Sequence, residues 1–242
     1  MDSDATTKPQ KEKKKRIEII DALRGFAVVL MVCHHFLYDL VTFLDAPDWF
    51  FSNGVFDVLQ PFFAGVFIVL CGVSSNFSRS NIKRGLITLG FALGVTGVTV
   101  FLEMPIIFGI LHLLSFCMLF YGILHKFIEK IPSVLFLIIC ILLAIISAYC
   151  VNNIPVQSDN LWIFGWAGKD FLSYDYFPLF PWLFVFLAGT VIGRYIAADK
   201  LPQKFYTAKV PVLSFVGRHA LIVYIVHQPV LYLITLLIGS IK

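Results

Sequence analysis

Seven apolar stretches, each near the length that a helix needs to cross a bilayer, constrain this sequence more than any other feature. They cover approximately residues 19–43, 56–76, 85–103, 106–125, 133–151, 178–197 and 212–238. A helix of about 20 residues crosses the hydrocarbon layer, and none of the stretches shows the strand-like alternation of a barrel. Only helices satisfy their own backbone hydrogen bonds in lipid without closing a barrel. The sequence therefore predicts an all-α, polytopic bundle of about seven transmembrane helices.

The composition agrees with a membrane location. Hydrophobic residues make up 59% and charged residues 14% of the 242-residue chain, against about 45–50% and about 25% in soluble domains. No internal repeat or low-complexity segment follows the N-terminal tail, so residues 17–242 are predicted to form one transmembrane domain. The five cysteines have no paired spacing and four lie in apolar stretches, which is typical of packing residues rather than disulfides or metal ligands.

The distribution of charge predicts the orientation. The tail of residues 1–16 is rich in lysine and is predicted to be disordered, cytoplasmic and attracted to anionic lipid. It lacks the aromatic residues of a nucleic-acid-binding segment, so no nucleic-acid partner is predicted. No small-residue cleavage site follows it, which favours a retained first span over a signal peptide. With the N-terminus inside, only Lys169 and Lys242 among the basic residues lie outside, as the positive-inside rule requires.

Three histidines are predicted to lie at membrane depth, where ionisable side chains are costly and mark candidate functional positions. From the rise per residue, His35 and His227 lie roughly 24 and 22 Å from the inner edge, and His112 roughly 9 Å from the outer edge. Asp39 follows His35 by one helical turn and is predicted to orient its imidazole. We predict His35, Asp39, His112 and His227 as the catalytic set. Packing histidines are the bland alternative, and a metal site is disfavoured because no clustered ligand motif is present.

A second polar layer is predicted at the cytoplasmic side. It consists of Arg24, Arg84, Arg194 and Arg218 near the inner ends of spans, with Ser74 and Asn76 at the end of the second span. Arginine binds phosphate through two parallel hydrogen bonds, so these six residues are predicted to bind an anionic cytoplasmic ligand. Snorkelling to lipid phosphates is the alternative for the arginines. The two layers together fit a ligand lying along the membrane normal with its phosphates inside.

A resemblance to the integral-membrane acyltransferases begins at residues 21–27 (DALRGFA), which are followed by an apolar run and residues 34–36 (HHF). It continues through residues 62–67 (FFAGVF), 72–75 (GVSS), 108–112 (FGILH), 177–182 (FPLFPW) with Gly189, Gly193 and Arg194, 217–219 (GRH) and 224–229 (YIVHQP). In this order the segments resemble the compact bacterial members of the heparan-α-glucosaminide N-acetyltransferase catalytic-domain family. The likeness covers nearly the whole chain after the tail.

The resemblance implies transfer of an acetyl group from cytosolic acetyl-CoA, without a metal, to an amine or hydroxyl acceptor outside the inner (plasma) membrane. A glycan or glycolipid acceptor is expected, lipid is the other partner, and a homodimer is left open. In related membrane acyltransferases a polar residue eleven positions after the arginine of the Arg-Gly pair lies at the active site, and here that residue is His35. His35 would then be the general base, with His112 or His227 stabilising the oxyanion.

The chemical route stays open at this point. Eukaryotic lysosomal members carry asparagine at the position of His35 and a histidine in the following loop, whereas this chain has no histidine between His35 and His112. Direct transfer and an acetyl-histidine intermediate on His35 are therefore both retained. The aromatic residues of the outer loop 152–177 could stack on a sugar or anchor the loop at the interface.

Two other functions compete with the enzyme. A proton-coupled transporter could use the histidine layer as a relay, but no inverted repeat or Gly/Pro-broken helix pair is visible. A non-catalytic scaffold is the third reading.

Overall fold

A computed structural model describes residues 16–156 and 160–241, so residues 1–15 of the predicted tail lie outside it. The described helices are α1 (Glu18–Leu44), α2 (Gly54–Ser75), α3 (Asn81–Phe101), α4 (Ile110–Ile128), α5 (Ser133–Asn153), α6 (Leu179–Ala197), α7 (Gln203–Thr207), α8 (Pro211–Arg218) and α9 (Ala220–Ile241). Two single 3-10 turns, Asp48–Phe50 and Trp162–Phe164, complete the elements. No strand occurs among these residues, and α1 to α6 and α9 are long and apolar enough to span a membrane. The predicted all-α bundle of seven spans is confirmed.

We call the end of the bundle near Arg24 the inner end and the opposite end the outer end. The loop between α3 and α4 is at the outer end, where Glu103 adopts a left-handed φ of 58° that lets the chain reverse within a few residues. That the inner end faces the cytoplasm stays a prediction.

The last predicted span, residues 212–238, is wrong at its start. The chain forms the separate helix α8, bends at His219 and then begins α9 at Ala220. The break lets α8 lie along α1, where the Ser214 hydroxyl donates to the Glu18 carbonyl at 2.9 Å. The apolar run continues across the bend, so hydropathy did not reveal it.

The contact between α1 and α8 depends on two glycines. A Cβ on Gly25 would lie 2.0 Å from the Leu213 carbonyl oxygen, and a Cβ on Gly217 would lie 1.8 Å from that of Asp21. Glycine therefore lets the two backbones touch, which is a common way for helices to associate in lipid. The close approach of α8 thus explains why the residue after Arg24 is a glycine.

The same device joins α2 to α6. A Cβ on Gly72 would lie 2.1 Å from the Phe186 carbonyl oxygen, and one on Gly189 would lie 2.3 Å from that of Val69. The side chain of Phe186 is fully buried beside this contact. The α2–α6 pair consequently forms a close-packed centre for the bundle.

Around this centre the remaining helices are arranged asymmetrically. Helix α4 contacts α2, α3 and α6, and α5 packs on α6. Half of the membrane window of α4 and of α6 is buried, whereas most of α3, α5 and α9 is exposed and would face lipid. Helix α9 packs mainly on α1, and this pairing positions the histidines described next.

Candidate active site

A cavity of about 170 Å³ opens between α1, α2, the start of α4, α9 and the segment before α6. Its wall on α1 runs from Ala27 to Leu37, which corresponds to about 15 Å of helix. Most of the lining is apolar, and the polar groups in it are His34, His35, Gln60, Asp175 and Tyr224. A long apolar cavity with a few convergent polar groups is the usual form of a small-molecule site.

His35 meets His227 directly across the α1–α9 contact. Nδ1 of His35 lies 2.7 Å from Nε2 of His227, and the rings stack at a centroid distance of 4.9 Å. Nδ1 of His227 in turn lies 2.5 Å from the carbonyl oxygen of Tyr224. The two histidines lie at one level of the bundle, as their predicted heights implied, while their depth in a membrane and their catalytic roles stay predictions.

Asp39 has a different partner from the one predicted. Its Oδ1 accepts a hydrogen bond from the Gln228 amide at 2.8 Å, and Oδ2 has no hydrogen-bond partner among the described residues. The side chain is fully buried. This corrects the predicted Asp39–His35 contact. His35 contacts His227 of α9, and Asp39 contacts the next residue of that helix, Gln228.

His112 lies outside the main cavity. Its Nε2 is 3.3 Å from the Thr96 hydroxyl, its ring stacks on Phe108, and it lines a separate small cleft that shares Tyr224 with the cavity. The imidazole is buried, and Nδ1 has no partner in the described part of the chain. The structure thus brings together two of the three histidines predicted to share a layer.

Asp175 is a cavity residue that the sequence analysis did not select. Its Oδ2 accepts hydrogen bonds from the Tyr224 hydroxyl at 2.8 Å and from the backbone N–H of Ile110 at 3.1 Å. The second contact caps the N-terminus of α4, where the helix dipole favours negative charge. Burial raises the pKa of the Asp175 carboxyl, and the two hydrogen bonds oppose that rise. No local pattern marked Asp175, because it lies in an irregular loop.

Arg24 is held by three helices at the inner end. Its Nη1 donates to the Asp21 carboxylate at 3.0 Å and to the Gly217 carbonyl at 3.3 Å, and its Nη2 donates to the Ser74 hydroxyl. Arg84 donates to the Ser74 carbonyl at 3.5 Å. These four contacts join α1, α2, α3 and α8, so Arg24 acts as a structural clamp besides any contact with a ligand.

The other members of the predicted phosphate set are more dispersed. Arg194 lies over the ring of Phe136, and its Nε and Nη2 are buried without a partner among the described residues. Arg218 is exposed and donates to the Ser214 carbonyl of its own helix. Asn76 donates to the Thr190 carbonyl at 2.8 Å and therefore packs between α2 and α6. Of this set, Arg194 has the clearest unused donors.

The outer-loop aromatics pack largely on each other. Trp162 stacks on Phe171 and contacts Phe108 edge-on, and the Trp166 indole donates to the Ile154 carbonyl at 2.9 Å. Tyr174, in contrast, is 51% exposed. Most of these side chains therefore form a cap on the bundle, and Tyr174 is exposed at its surface.

No group of three or more histidine, cysteine or acidic residues that could hold a metal occurs within residues 16–156 and 160–241. The donor set of the site consists of imidazole, carboxyl, amide and phenol groups.

Comparison with protein families identifies the family of the chain. A family model described as heparan-alpha-glucosaminide N-acetyltransferase, catalytic, matches residues 16–229, an interval that contains the cavity, the histidine pair and the arginine clamp. Comparison with curated proteins and with solved structures gave no match. Because the match covers most of the chain, the resemblance inferred from the sequence is confirmed. The chain belongs to the heparan-alpha-glucosaminide N-acetyltransferase catalytic family, which makes it a membrane acyltransferase.

Proposed function

We propose that the protein transfers an acetyl group from acetyl-CoA, bound from the cytoplasmic side, to an amine or hydroxyl acceptor, expected to be a sugar, on the opposite side. The observation that carries the proposal is the apolar cavity lined by His35, whose imidazole is paired with that of His227. Its inner end at Ala27 lies about 4.5 Å along α1 from Arg24. A ligand with an apolar arm and an anionic end fits this combination.

The anionic end of acetyl-CoA would bind at the inner arginines. Arg194 is the best supported, since buried guanidinium N–H groups without partners are costly and a phosphate oxygen would satisfy two of them. Arg84 and Arg218 are close to the same end of the bundle and would add charge. Arg24 and Asn76 would mainly hold the helices that present these side chains.

The acyl transfer would occur at the outer end. His35 would take the proton of the acceptor while the acceptor's nitrogen or oxygen attacks the thioester carbonyl. The new C–N or C–O bond forms, the C–S bond breaks, and the CoA thiolate leaves with a proton returned from the imidazolium. General-base help of this kind typically contributes about 10²–10⁴-fold. The competing route, through an acetyl-imidazole on His35, uses the same residue.

The test is release of free thiol from acetyl-CoA by the purified protein in detergent, with amino sugars and simple sugars as acceptors. We expect acceptor-dependent thiol release from the wild type and none above background from His35→Gln. His125→Gln is the matched control, because within the described part of the chain the His125 imidazole hydrogen bonds only to the Gly122 carbonyl of its own helix. Absence of thiol release with every acceptor, together with no thermal stabilisation by acetyl-CoA, would contradict the proposal. Proton flux in proteoliposomes under those conditions would favour the transporter instead.

A further inference from the structure

We infer that His227 is a positioning residue that fixes the tautomer of His35, so that Nε2 of His35 is the atom which acts on the substrate. This inference rests on the proposed function for its chemistry. Its geometric part, the position of each proton in the pair, stands on two hydrogen bonds and is tested separately.

The proton count begins at Tyr224. Its backbone carbonyl oxygen can only accept, so Nδ1 of His227, 2.5 Å away, must carry a hydrogen. A neutral imidazole has one N–H, and Nε2 of His227 is then a lone pair. Since that lone pair lies 2.7 Å from Nδ1 of His35, Nδ1 of His35 must be the donor. Nε2 of His35 is left unprotonated.

The neutral state of the pair follows from its surroundings. His227 is only 9% exposed, and both rings lie at membrane depth, where an ionised side chain is expensive. Protonating the pair at rest would place a charge there without an ion-pair partner, because among the described residues no carboxylate oxygen lies within 4.0 Å of either ring's nitrogens and Asp39 accepts from Gln228 instead. The neutral tautomer described above is therefore the resting state.

The free nitrogen is available to a substrate. His35 lines the cavity whereas His227 does not, and among the described residues no hydrogen-bond partner occupies Nε2 of His35. When Nε2 takes a proton from the acceptor, Nδ1–H of the imidazolium stays bonded to the lone pair of His227. His227 thus does for His35 what the buried aspartate does for the histidine of a serine protease, namely hold one tautomer and one ring orientation.

The position of His227 is itself fixed by the outer loop. The Tyr224 hydroxyl donates to Asp175, and Asp175 also accepts from the start of α4. The helical turn of α9 that supplies the Tyr224 carbonyl is consequently tied to α4. Both nitrogens of His227 are engaged in this arrangement, so neither is free for the oxyanion contact that the sequence suggested.

Three variants of His227 separate an acceptor role from a packing role. His227→Phe keeps a ring and removes the acceptor, while His227→Gln and His227→Glu restore an acceptor oxygen. We expect His227→Phe to lower kcat by about 10²-fold or more with the KM for acetyl-CoA unchanged, and the two acceptor variants to recover at least tenfold of that loss. His125→Phe is the control and should keep wild-type kcat. Equal kcat in all three His227 variants, or less than threefold loss in His227→Phe, would overturn the inference.

Nitrogen NMR of the protein labelled with ¹⁵N-histidine reads the tautomer without requiring turnover. The His35 signals are identified by their loss in His35→Gln. We expect an unprotonated Nε2 and a protonated Nδ1 in the wild type, and a mixture of tautomers in His227→Phe. A protonated Nε2 in the wild type would overturn the inference even if the enzyme transfers acetyl groups. The expected tautomer in a protein that releases no thiol would instead leave the geometry standing and contradict the proposed function.

Discussion

The two polar regions of this bundle use their hydrogen-bonding groups in opposite ways. At the inner end Arg24 donates hydrogen bonds to Asp21, Ser74 and the Gly217 carbonyl, so its side chain holds helices together. At the outer end His35 and His227 bond to each other, and Nε2 of His35, a residue that lines the cavity, has no hydrogen-bond partner among the described residues. A polar group at membrane depth is therefore a better functional candidate when it retains an unused donor or acceptor than when it is merely buried.

The largest expected effect is the loss of activity on substitution of His35. His35→Gln should lower kcat/KM by about 10²–10⁴-fold, because it removes the proposed general base, while thermal stabilisation by acetyl-CoA persists. Thiol release and a thermal-shift titration measure the two quantities. Loss of acetyl-CoA stabilisation in this variant would place the donor's phosphate end near His35 and so invert the proposed orientation of the ligand.

The inner region should instead respond in stability. Gly25→Ala would place a Cβ 2.0 Å from the Leu213 carbonyl oxygen, a backbone atom that cannot move without separating α8 from α1. We expect a loss of roughly 3 kcal/mol or more, as for severe core changes, seen as a lower Tm or poor yield. Gly90→Ala is the control, since no atom of the described residues beyond its own stretch of helix lies within 4 Å of that Cβ. An unchanged Tm in Gly25→Ala would show that the α1–α8 contact is loose.

Arg24 and Arg194 allow an arginine whose donors are hydrogen bonded to be compared with one whose donors include two without a partner among the described residues. Arg24→Gln should lower the Tm of the ligand-free protein, because it removes the hydrogen bonds of Arg24 to Ser74 and the Gly217 carbonyl, each worth about 1.5–3 kcal/mol. Asp21 keeps its ion pair with Arg16 in this variant. Arg194→Gln should leave that Tm nearly unchanged, since Nε and Nη2 of Arg194 have no partner within the described residues. It should weaken acetyl-CoA binding by about tenfold, the equivalent of one charge-assisted hydrogen bond. The reverse pattern would exchange the roles of the two arginines.

Much of the fold could be predicted because span length and hydropathy are local properties. The predicted stretches 133–151 and 178–197 lie close to Ser133–Asn153 and Leu179–Ala197. The bend at His219 escaped because it results from the close approach of Gly217 to Asp21, a contact between distant parts of the chain. Hydropathy reports whether a residue prefers lipid, and not which neighbour its backbone will touch.

For the candidate site, too, local properties could be predicted from the sequence and contacts between distant residues could not. The rise per residue converts sequence position into height, and for that reason His35 and His227 were placed at one level. Rotation about the helix axis is not given by height, so the separation of His112 from the cavity and the pairing of Asp39 with Gln228 could not be foreseen. The role of Asp175 depends on where an irregular loop crosses the end of α4, which no periodicity encodes.

The smallest expected effect concerns Asp175 and the pH dependence of stability. Burial raises the pKa of this carboxyl above its ordinary value, so the folded protein keeps the proton at pH values where the unfolded chain has released it. In that pH range the folded state binds more protons than the unfolded state. Stability therefore falls as the pH rises from the pKa of Asp175 in the unfolded chain to its pKa in the folded protein. Below the unfolded value both states are protonated and no penalty exists. Asp175→Asn removes the titration while keeping an acceptor oxygen.

Relative to the wild type, Asp175→Asn should therefore gain stability as pH increases through the mildly acidic range, by a few degrees in Tm. The measurement is Tm against pH for both proteins in one detergent, with Asp170→Asn as the control because Asp170 is exposed in the same loop. Parallel Tm curves for the wild type and Asp175→Asn would mean that the hydrogen bonds from Tyr224 and Ile110 fully offset burial. In that case Asp175 would be ionised in the cavity, and the outer region would present a fixed negative charge to the acceptor beside the neutral histidine pair.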